Sequence, residues 1–189
     1  MFLPTMRFLK STRVRIVAAI VAVLVVVFCV LTALLYVYPD LNPPQRSNAI
    51  VVLGGHGVPA FDKGVALAKQ GYAPSLILSL QDWQTCGPYQ NYLALKLPKV
   101  RVRCFKANPQ TTQGEARSIE QFAKQLHWKR IIVVVPTTQA SRARLRIGRC
   151  YPGQVLEVGF SPEGIGEWLT QFAYQWAAMF KAVVLQPSC

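Results

Sequence analysis

An uninterrupted apolar segment near the N-terminus constrains the fold of this 189-residue chain more than any other feature. It covers residues 16–38 (IVAAIVAVLVVVFCVLTALLYVY) and contains neither a charged residue nor a proline. As a helix rising about 1.5 Å per residue it would be roughly 34 Å long, enough to cross a hydrocarbon core of about 30 Å. A helix of this length in a soluble domain would normally carry a polar face, which is missing here. The sequence therefore predicts one transmembrane helix over residues 16–38.

The charges that flank this segment predict its orientation. Four basic residues precede it within residues 1–15, namely Arg7, Lys10, Arg13 and Arg15, and the first acidic residue is Asp40. Lys and Arg beside a membrane span remain on the cytoplasmic side. We therefore expect a single-pass plasma-membrane protein with a cytoplasmic tail at 1–15 and an extracytoplasmic C-terminal domain. A cleaved signal peptide is the alternative, but its apolar region would be only about 7–15 residues long.

The remainder of the chain alternates short apolar strands with helices. A proline-rich linker at 39–47 (PDLNPPQRS) leads into strands predicted at 48–53, 75–79, 100–105, 130–135 and 155–160. Helices are predicted at 61–70, 89–97, 112–126, 138–150 and 164–185. This alternation predicts a Rossmann-like three-layer α/β domain at 48–189, with a mostly parallel five-stranded sheet. Ligands of such sheets bind at the carboxyl ends of the strands, which selects the loops at 54–59, 80–88, 106–112 and 136–142.

Short motifs in these loops carry a family resemblance. Gly54-Gly55 ends the first strand and Ser79 ends the second, TTQGEA follows at 111–116 and PTTQASRA at 136–143. Their order and spacing resemble the YdcF-like family of bacterial cell-envelope domains over about residues 48–160. The resemblance implies a Rossmann-like domain behind a signal anchor and a role in envelope assembly, cell wall biogenesis or lipid-carrier metabolism. This chain departs from the family pattern at Leu80-Gln81, where Gly-Gly is usual, and at Gln139, where a His is usual.

The candidate ligand-binding residues lie at the same edge of the predicted sheet. They are Gly54, Gly55, His56, Ser79, Thr112, Glu115, Thr137, Gln139 and Arg142. The two glycines would let backbone N–H groups approach a phosphate, or would only form the turn into the next helix. Thr112 and Glu115 match a capping box, although a helix N-terminus also attracts anions.

Arg142 is the strongest candidate for a ligand-binding cation, because a guanidinium stays charged at every physiological pH. Its neighbours Arg144, Arg146 and Arg149 are interpreted as a solvated basic face. His56 could act as a base or could be a solvated loop residue. The other histidine, His127, is predicted at the opposite edge of the sheet, so no nucleophilic triad can be assembled. We expect neither a metal nor a cofactor, since Cys-x-x-Cys and His-x-x-x-His patterns are absent.

The charge of the predicted extracytoplasmic part restricts its partners. From Asp40 onward the chain holds 17 of its 21 Lys and Arg and all 8 acids, which gives a net charge of +9. Such a field favours anionic partners. Nucleic acid is not expected outside the cell, so the expected partners are the lipid bilayer and an anionic lipid or polyprenyl-phosphate-like ligand. Two functions stay open: binding or processing of a lipid-linked or cell-wall intermediate, and a non-catalytic scaffold that holds a membrane protein partner.

The cysteines predict two disulfide bonds in an oxidising compartment. Cys86 and Cys104 are both expected near the carboxyl edge of the sheet, whereas Cys150 and Cys189 both follow helices and belong to the opposite edge. We therefore expect the pairs Cys86–Cys104 and Cys150–Cys189, with four buried or free thiols as the alternative.

An aromatic stripe marks the last predicted helix. Every fourth residue is aromatic, in the series Trp168, Phe172, Trp176 and Phe180, so the four side chains share one face. We expect this face to pack on the sheet. Contact with the bilayer or with a partner helix is the alternative.

Overall fold

A computed structural model of the chain describes residues 12–162 and 164–189. Residues 1–11 of the predicted tail, with two of its four basic residues (Arg7 and Lys10), lie outside the described residues. Helix α1 covers Thr12–Thr32 and continues through a π-helical turn at Ala33–Val37. By length and composition this helix could cross a membrane, and none of its most apolar stretch is buried against the rest of the chain.

The domain that follows has the predicted alternation of strands and helices. The strands are β1 Ala49–Val52, β2 Ser75–Leu80, β3 Arg101–Lys106, β4 Arg130–Pro136 and β5 Gln154–Phe160. The helices are α2 Gly57–Lys69, α3 Cys86–Lys96, α4 Thr112–Leu126, α5 Ala140–Cys150 and α6 Ile165–Phe180. A 3-10 turn at Thr137–Gln139 precedes α5, and a π-helical turn at Lys181–Leu185 extends α6.

All five strands are parallel and lie in the order β3-β2-β1-β4-β5. Side chains alternate across the sheet, so Val51 and Val133 pack beneath α4 and α5, whereas Ile50 and Ile132 pack beneath α2 and α3. Helices thus cover both faces, and the predicted Rossmann-like three-layer fold is confirmed. The strand order reverses between β1 and β4, which is where such sheets open a crevice at their carboxyl edge.

The segment at 39–47 is an ordered strap along the outer edge of β5. The Asn42 backbone N–H donates to the Glu157 carbonyl over 2.9 Å, and the Asn42 amide oxygen accepts from the Glu157 N–H over 3.1 Å. Arg144 of α5 forms ion pairs with Asp40 on the strap (2.9 Å) and with Glu157 (3.1 Å). The strap therefore covers an edge strand that would otherwise expose unpaired backbone groups.

Both predicted disulfide bonds are present. Cys86 and Cys104 join the start of α3 to β3 with a Cα–Cα distance of 5.8 Å. Cys150 and Cys189 join the end of α5 to the C-terminal residue with a Cα–Cα distance of 5.0 Å. The pairing follows the polarity of the βα units, because cysteines at the same edge of the sheet lie close enough to bond.

The expectation that the aromatic stripe of α6 packs on the sheet is wrong. Trp176 stacks on Phe28 of α1 with 5.1 Å between ring centroids, and its indole N–H donates to the Thr32 hydroxyl over 3.0 Å. The Phe172 ring lies 6.4 Å from that of Tyr36. Because the four preceding helices already cover both sheet faces, α6 lies instead against α1, at the carboxyl edge of the sheet.

Candidate functional site

A cleft of about 370 Å³ opens at the carboxyl edge of the sheet, beside the reversal between β1 and β4. Eight of the nine predicted site residues line it: Gly54, Gly55, His56, Ser79, Thr112, Glu115, Gln139 and Arg142. The exception is Thr137, whose hydroxyl donates to the Phe160 carbonyl over 3.1 Å and so joins β5 to the end of β4. The predicted ligand role of Thr137 is therefore replaced by a structural one.

Arg142 is a buried cation that lines the cleft. The residue is 7% exposed, donates from Nη1 to the Thr112 hydroxyl over 2.8 Å, and donates from Nε to Gln175 over 2.9 Å. Among the described residues, no carboxylate forms an ion pair with it within 4.0 Å. Burial lowers the pKa of Arg142 from its ordinary value, but a guanidinium remains protonated. The carboxyl group of Glu115 lines the same cleft and its charge raises the pKa of Arg142, but within the described part of the chain it forms no direct ion pair with the guanidinium.

Arg146 contradicts the prediction of a solvated basic face. One turn beyond Arg142 on α5, it is 5% exposed, lines the same cleft and donates to the carbonyl and side chain of Gln186 over 2.6 and 2.9 Å. Burial lowers its pKa first, and the neighbouring cations Arg149 and Arg142 lower it further. Arg144 holds the strap, and Arg149 donates to the Ala182 carbonyl over 2.7 Å. Arg142 and Arg146 therefore line the cleft, whereas Arg144 and Arg149 bind neighbouring segments of the chain.

The start of α4 differs from the predicted capping box by one residue. Thr111 is the N-cap, and its hydroxyl accepts from the Gly114 N–H over 3.2 Å. Thr112 is instead the first residue of the helix, and its hydroxyl accepts from both Arg142 and Gln139. The local sequence offers two adjacent threonines for one cap; both line the cleft, and the hydroxyl of Thr112 rather than that of Thr111 binds Arg142.

Glu115 turns away from its own helix terminus toward the loop after β1. Its carboxylate accepts from the Gly54 N–H over 2.7 Å, and the Ser79 side chain also hydrogen-bonds to it. Burial raises the pKa of Glu115, and these two hydrogen bonds offset part of that effect. The Gly54 N–H is consequently occupied. Among the described residues, no hydrogen-bond partner accepts from the N–H of Gly55, whose φ of 83° suits glycine.

His56 borders the cleft as a neutral side chain. Burial, and next the charge of Arg142, lower its pKa to about 4. At neutral pH it neither adds positive charge nor serves as an effective base. The adjacent Gln139 is 3% exposed, donates to the Thr112 hydroxyl over 3.2 Å, and interacts through its side chain with His56, which offsets part of the fall in the His56 pKa.

Helix α6 and the segment after it supply six lining residues that the sequence did not predict. Gln171, Tyr174, Gln175 and Ala178 belong to α6, Lys181 to its π-helical turn, and Gln186 follows that turn. Gln171 and Gln175 lie four residues apart on a helix whose other residues are mostly apolar, so they share one face. This pair of polar side chains is the feature of the sequence that indicates a contribution of α6 to the cleft. The remaining lining residues that were not predicted are Leu80, Gln81, Ala107, Gln110, Thr111, Gln113 and Arg146.

Among the described residues, no group of three or more His, Cys, Asp or Glu side chains could hold a metal ion. Three of the side chains that line the cleft are cationic, namely Arg142, Arg146 and Lys181, and its one carboxyl group has a raised pKa. The arrangement therefore suits an anion that accepts several hydrogen bonds.

The sequence matches no protein-family model and no curated protein. Among solved structures, the fold is similar to that of an NADPH-dependent 3-quinuclidinone reductase from Rhodotorula rubra. The two chains share 14% identity with a TM-score of 0.45, over 74% of this chain and 64% of the reductase. This chain thus spans less than two thirds of the reductase, and the likeness concerns the fold alone.

Proposed function

We propose that this chain is a membrane-anchored bacterial cell-envelope protein of the YdcF-like type. Its extracytoplasmic cleft binds the phosphate of an anionic lipid-linked or cell-wall intermediate, such as a polyprenyl phosphate. One observation carries the proposal: Arg142 is a buried cation that lines the cleft and forms no direct ion pair with a carboxylate among the described residues, and burial raises the pKa of the nearby Glu115 carboxyl.

A buried unpaired charge is expensive, because the loss of hydration costs several kcal/mol per ion. A phosphate oxygen beside Arg142 would offset that cost through charge-assisted hydrogen bonds, which are about twice as strong as neutral ones. Arg146 and Lys181 line the same cleft and add positive charge. The amide oxygen of Gln139 lies beside His56 in the same cleft and can accept from the hydroxyl of a protonated phosphate.

The location rests on separate features. Helix α1 has the length and composition of a membrane span, and Arg13 and Arg15 lie at its N-terminal end. Two disulfide bonds in the domain indicate an oxidising compartment. Together with the positive-inside rule, these features support a cytoplasmic N-terminus and an extracytoplasmic domain.

Binding is favoured over catalysis. A general base works best with a pKa near the operating pH, whereas the pKa of His56 is about 4. Glu115 is tied to Gly54 and Ser79, and Gln139 cannot exchange a proton. The chain supplies donors and positive charge rather than an activated nucleophile.

The scaffold function remains the second candidate. It is favoured by the exposed apolar side chains of α6, among them Ile165 (80% exposed) and Leu169 (63%). These residues could contact a partner helix within the membrane. In that case the cleft would be a vestige, and removal of its charges would leave the association intact.

The test is the binding of a polyprenyl phosphate analogue to the full chain in detergent, measured by isothermal titration calorimetry. Arg142→Ala should weaken binding at least tenfold with little change in thermal stability, because it removes both an unpaired buried charge and its hydrogen bonds. Arg142→Lys should keep part of the affinity, because lysine retains the positive charge but lacks the planar fork of donors of the guanidinium. Arg101→Ala removes the same charge from an exposed position at the opposite edge and should bind like the parent. Equal binding by the Arg142→Ala variant and the parent would leave only the scaffold function.

A further inference from the structure

The proposed membrane anchor is helix α1 with its π-helical turn, residues 12–37. This anchor joins the domain at the edge of the sheet that carries the cleft. The Ser141 hydroxyl, in the first turn of α5, donates to the Leu35 carbonyl of the anchor over 2.7 Å. From there the strap runs along β5 toward the opposite edge, past Glu157 to Arg46, whose carbonyl accepts from Arg130 over 3.3 Å. The end of the membrane span is therefore at the cleft edge, and the opposite edge points away from it.

Helix α6 meets the anchor well inside the predicted span. Trp176 contacts Phe28, Thr32 and Tyr36 of this segment, and the middle one of the three precedes the end of the span at Tyr38 by six residues. Six residues of helix correspond to about 9 Å. The level of Trp176 along the anchor is therefore within the hydrocarbon of the outer leaflet rather than in water.

The composition of α6 suits this depth. Over residues 165–185 the only charged residues are Glu167 and Lys181, and Lys181 lines the cleft. Large apolar side chains are exposed along the helix and its π-helical turn, namely Ile165, Leu169, Phe180, Val183, Val184 and Leu185. Few soluble helices leave so many apolar side chains in water.

Two loops from other parts of the chain expose apolar side chains at the same edge. Trp83, in the loop after β2, is 81% exposed, and Val58, in the first turn of α2 after β1, is 68% exposed. In a parallel sheet these loops and the start of α6 all lie at the carboxyl edge. Tyr92 and Leu95 of α3 are exposed outside this set. The apolar surface therefore spans three separate elements along one edge, which suits a flat bilayer better than a single partner helix.

We infer that the cleft edge rests on the bilayer, with α6 and the tips at Val58 and Trp83 in the outer leaflet. The cleft then opens in the headgroup layer, where it takes the phosphate of a lipid whose chains stay among those of the bilayer. This inference rests on the proposed function and narrows its substrate class to a membrane-resident phospholipid-like anion. Six lining residues come from α6, its π-helical turn and the residue that follows the turn, so membrane contact and the headgroup site share one segment.

The test uses the full chain in phosphatidylcholine vesicles and follows tryptophan fluorescence. Lipids brominated near the headgroup should quench Trp83, and aqueous iodide should not. The contribution of Trp83 is obtained as the difference between the parent and Trp83→Phe. Trp128 is the matched control, because it is 8% exposed and precedes β4 at the opposite edge, and the Trp128→Phe difference should show no bromine quenching. Quenching of Trp83 by iodide but not by brominated lipid would overturn the docking.

A second measurement separates this inference from the proposed function. Leu169→Glu places a charge on the exposed face of α6, away from the cleft lining. It should reduce capture of polyprenyl phosphate from vesicles at least tenfold and leave binding of inorganic pyrophosphate in detergent unchanged. If Leu169→Glu and the parent capture polyprenyl phosphate equally well, the inference that the cleft takes its ligand directly from the outer leaflet is wrong, whatever ligand the cleft binds. Bromine quenching of Trp83 together with undiminished pyrophosphate binding by Arg142→Ala would refute the proposed function while the docking stands.

Discussion

Arg142 donates from Nη1 to the hydroxyl oxygen of Thr112 over 2.8 Å and so joins the first turn of α5 to the first turn of α4 at the cleft. The same oxygen accepts from Gln139 over 3.2 Å. A hydroxyl has two lone pairs and one hydrogen, so Thr112 is left with a donor that can point into the cleft. Thr112 and Arg142, which are 30 residues apart in sequence, can thus bind the same ligand group in the cleft.

We expect Thr112→Val to weaken binding of the phosphate-bearing ligand roughly five- to tenfold, since it removes one donor and releases the Arg142 fork. The free energy of unfolding should fall by about 1 kcal/mol, the typical net value of a lost hydrogen bond. Thr112→Ser keeps the hydroxyl and should behave like the parent in calorimetry. Weak binding by the Ser variant as well would assign the effect to packing rather than to the hydroxyl.

Glu115 should make ligand affinity depend on pH. Burial raises its pKa, so the carboxyl is neutral at low pH and becomes an anion that opposes the ligand as the pH rises. Titrations over a range of pH should therefore show Glu115→Gln binding increasingly more tightly than the parent as the pH rises, by up to about three- to tenfold for one nearby charge in a partly screened site. The two affinities should approach each other as the pH falls and the carboxyl of the parent becomes protonated. The ligand's own titration is common to both proteins, and parallel profiles would exclude a role for Glu115.

Glu157 should make stability depend on pH in the unusual direction. Burial raises its pKa to about 7, although Arg144 offsets part of the effect, so the folded state binds the proton more tightly than the unfolded state. Its stabilising contribution is complete below the ordinary pKa of about 4.3 and is lost as the pH rises through about 7.

The size of this effect can be measured with Glu157→Gln. Between pH 5 and pH 8 the free energy of unfolding of the parent, obtained from thermal unfolding, should decline by about 2–4 kcal/mol, at 1.36 kcal/mol per pKa unit. The decline should be absent in the variant. Asp40→Asn alters the exposed partner of Arg144 and should retain the decline. An identical decline in Glu157→Gln would point to another titrating group.

The Cys150–Cys189 bond should hold α6 over the cleft. Replacing both cysteines by serine opens a loop with a sequence separation of 39 and should lower stability by about 2–4 kcal/mol. Hydrogen exchange should then accelerate in α6, because its C-terminal end loses its covalent link to α5. The Cys86/Cys104 double variant should leave exchange in α6 unchanged, since that bond joins α3 to β3. Equal protection of α6 in both double variants would show that side-chain contacts alone hold it.

Much of this organisation follows from local signals. An apolar run over residues 16–38 could be buried only in a membrane or by other protein, and the apolar strands indicate a sheet covered on both faces. The direction of each βα unit assigns loops to an edge, which is why the cysteine pairs were predictable and why eight of the nine predicted site residues line the cleft. Hydrophobicity, chain direction and turn residues act over a few positions, so a single sequence displays them directly.

The tertiary structure alone decided which side chains complete the cleft. Thr111 rather than Thr112 caps α4, because the hydroxyl of Thr112 binds Arg142 from another helix. Arg146 is buried because Gln186, 40 residues away, accepts its hydrogen bonds. Helix α6 lies against the anchor because α2 to α5 already occupy both faces of the sheet. Each outcome is a competition among distant contacts for limited space and limited hydrogen-bond partners, and such competition leaves no periodic trace in the sequence.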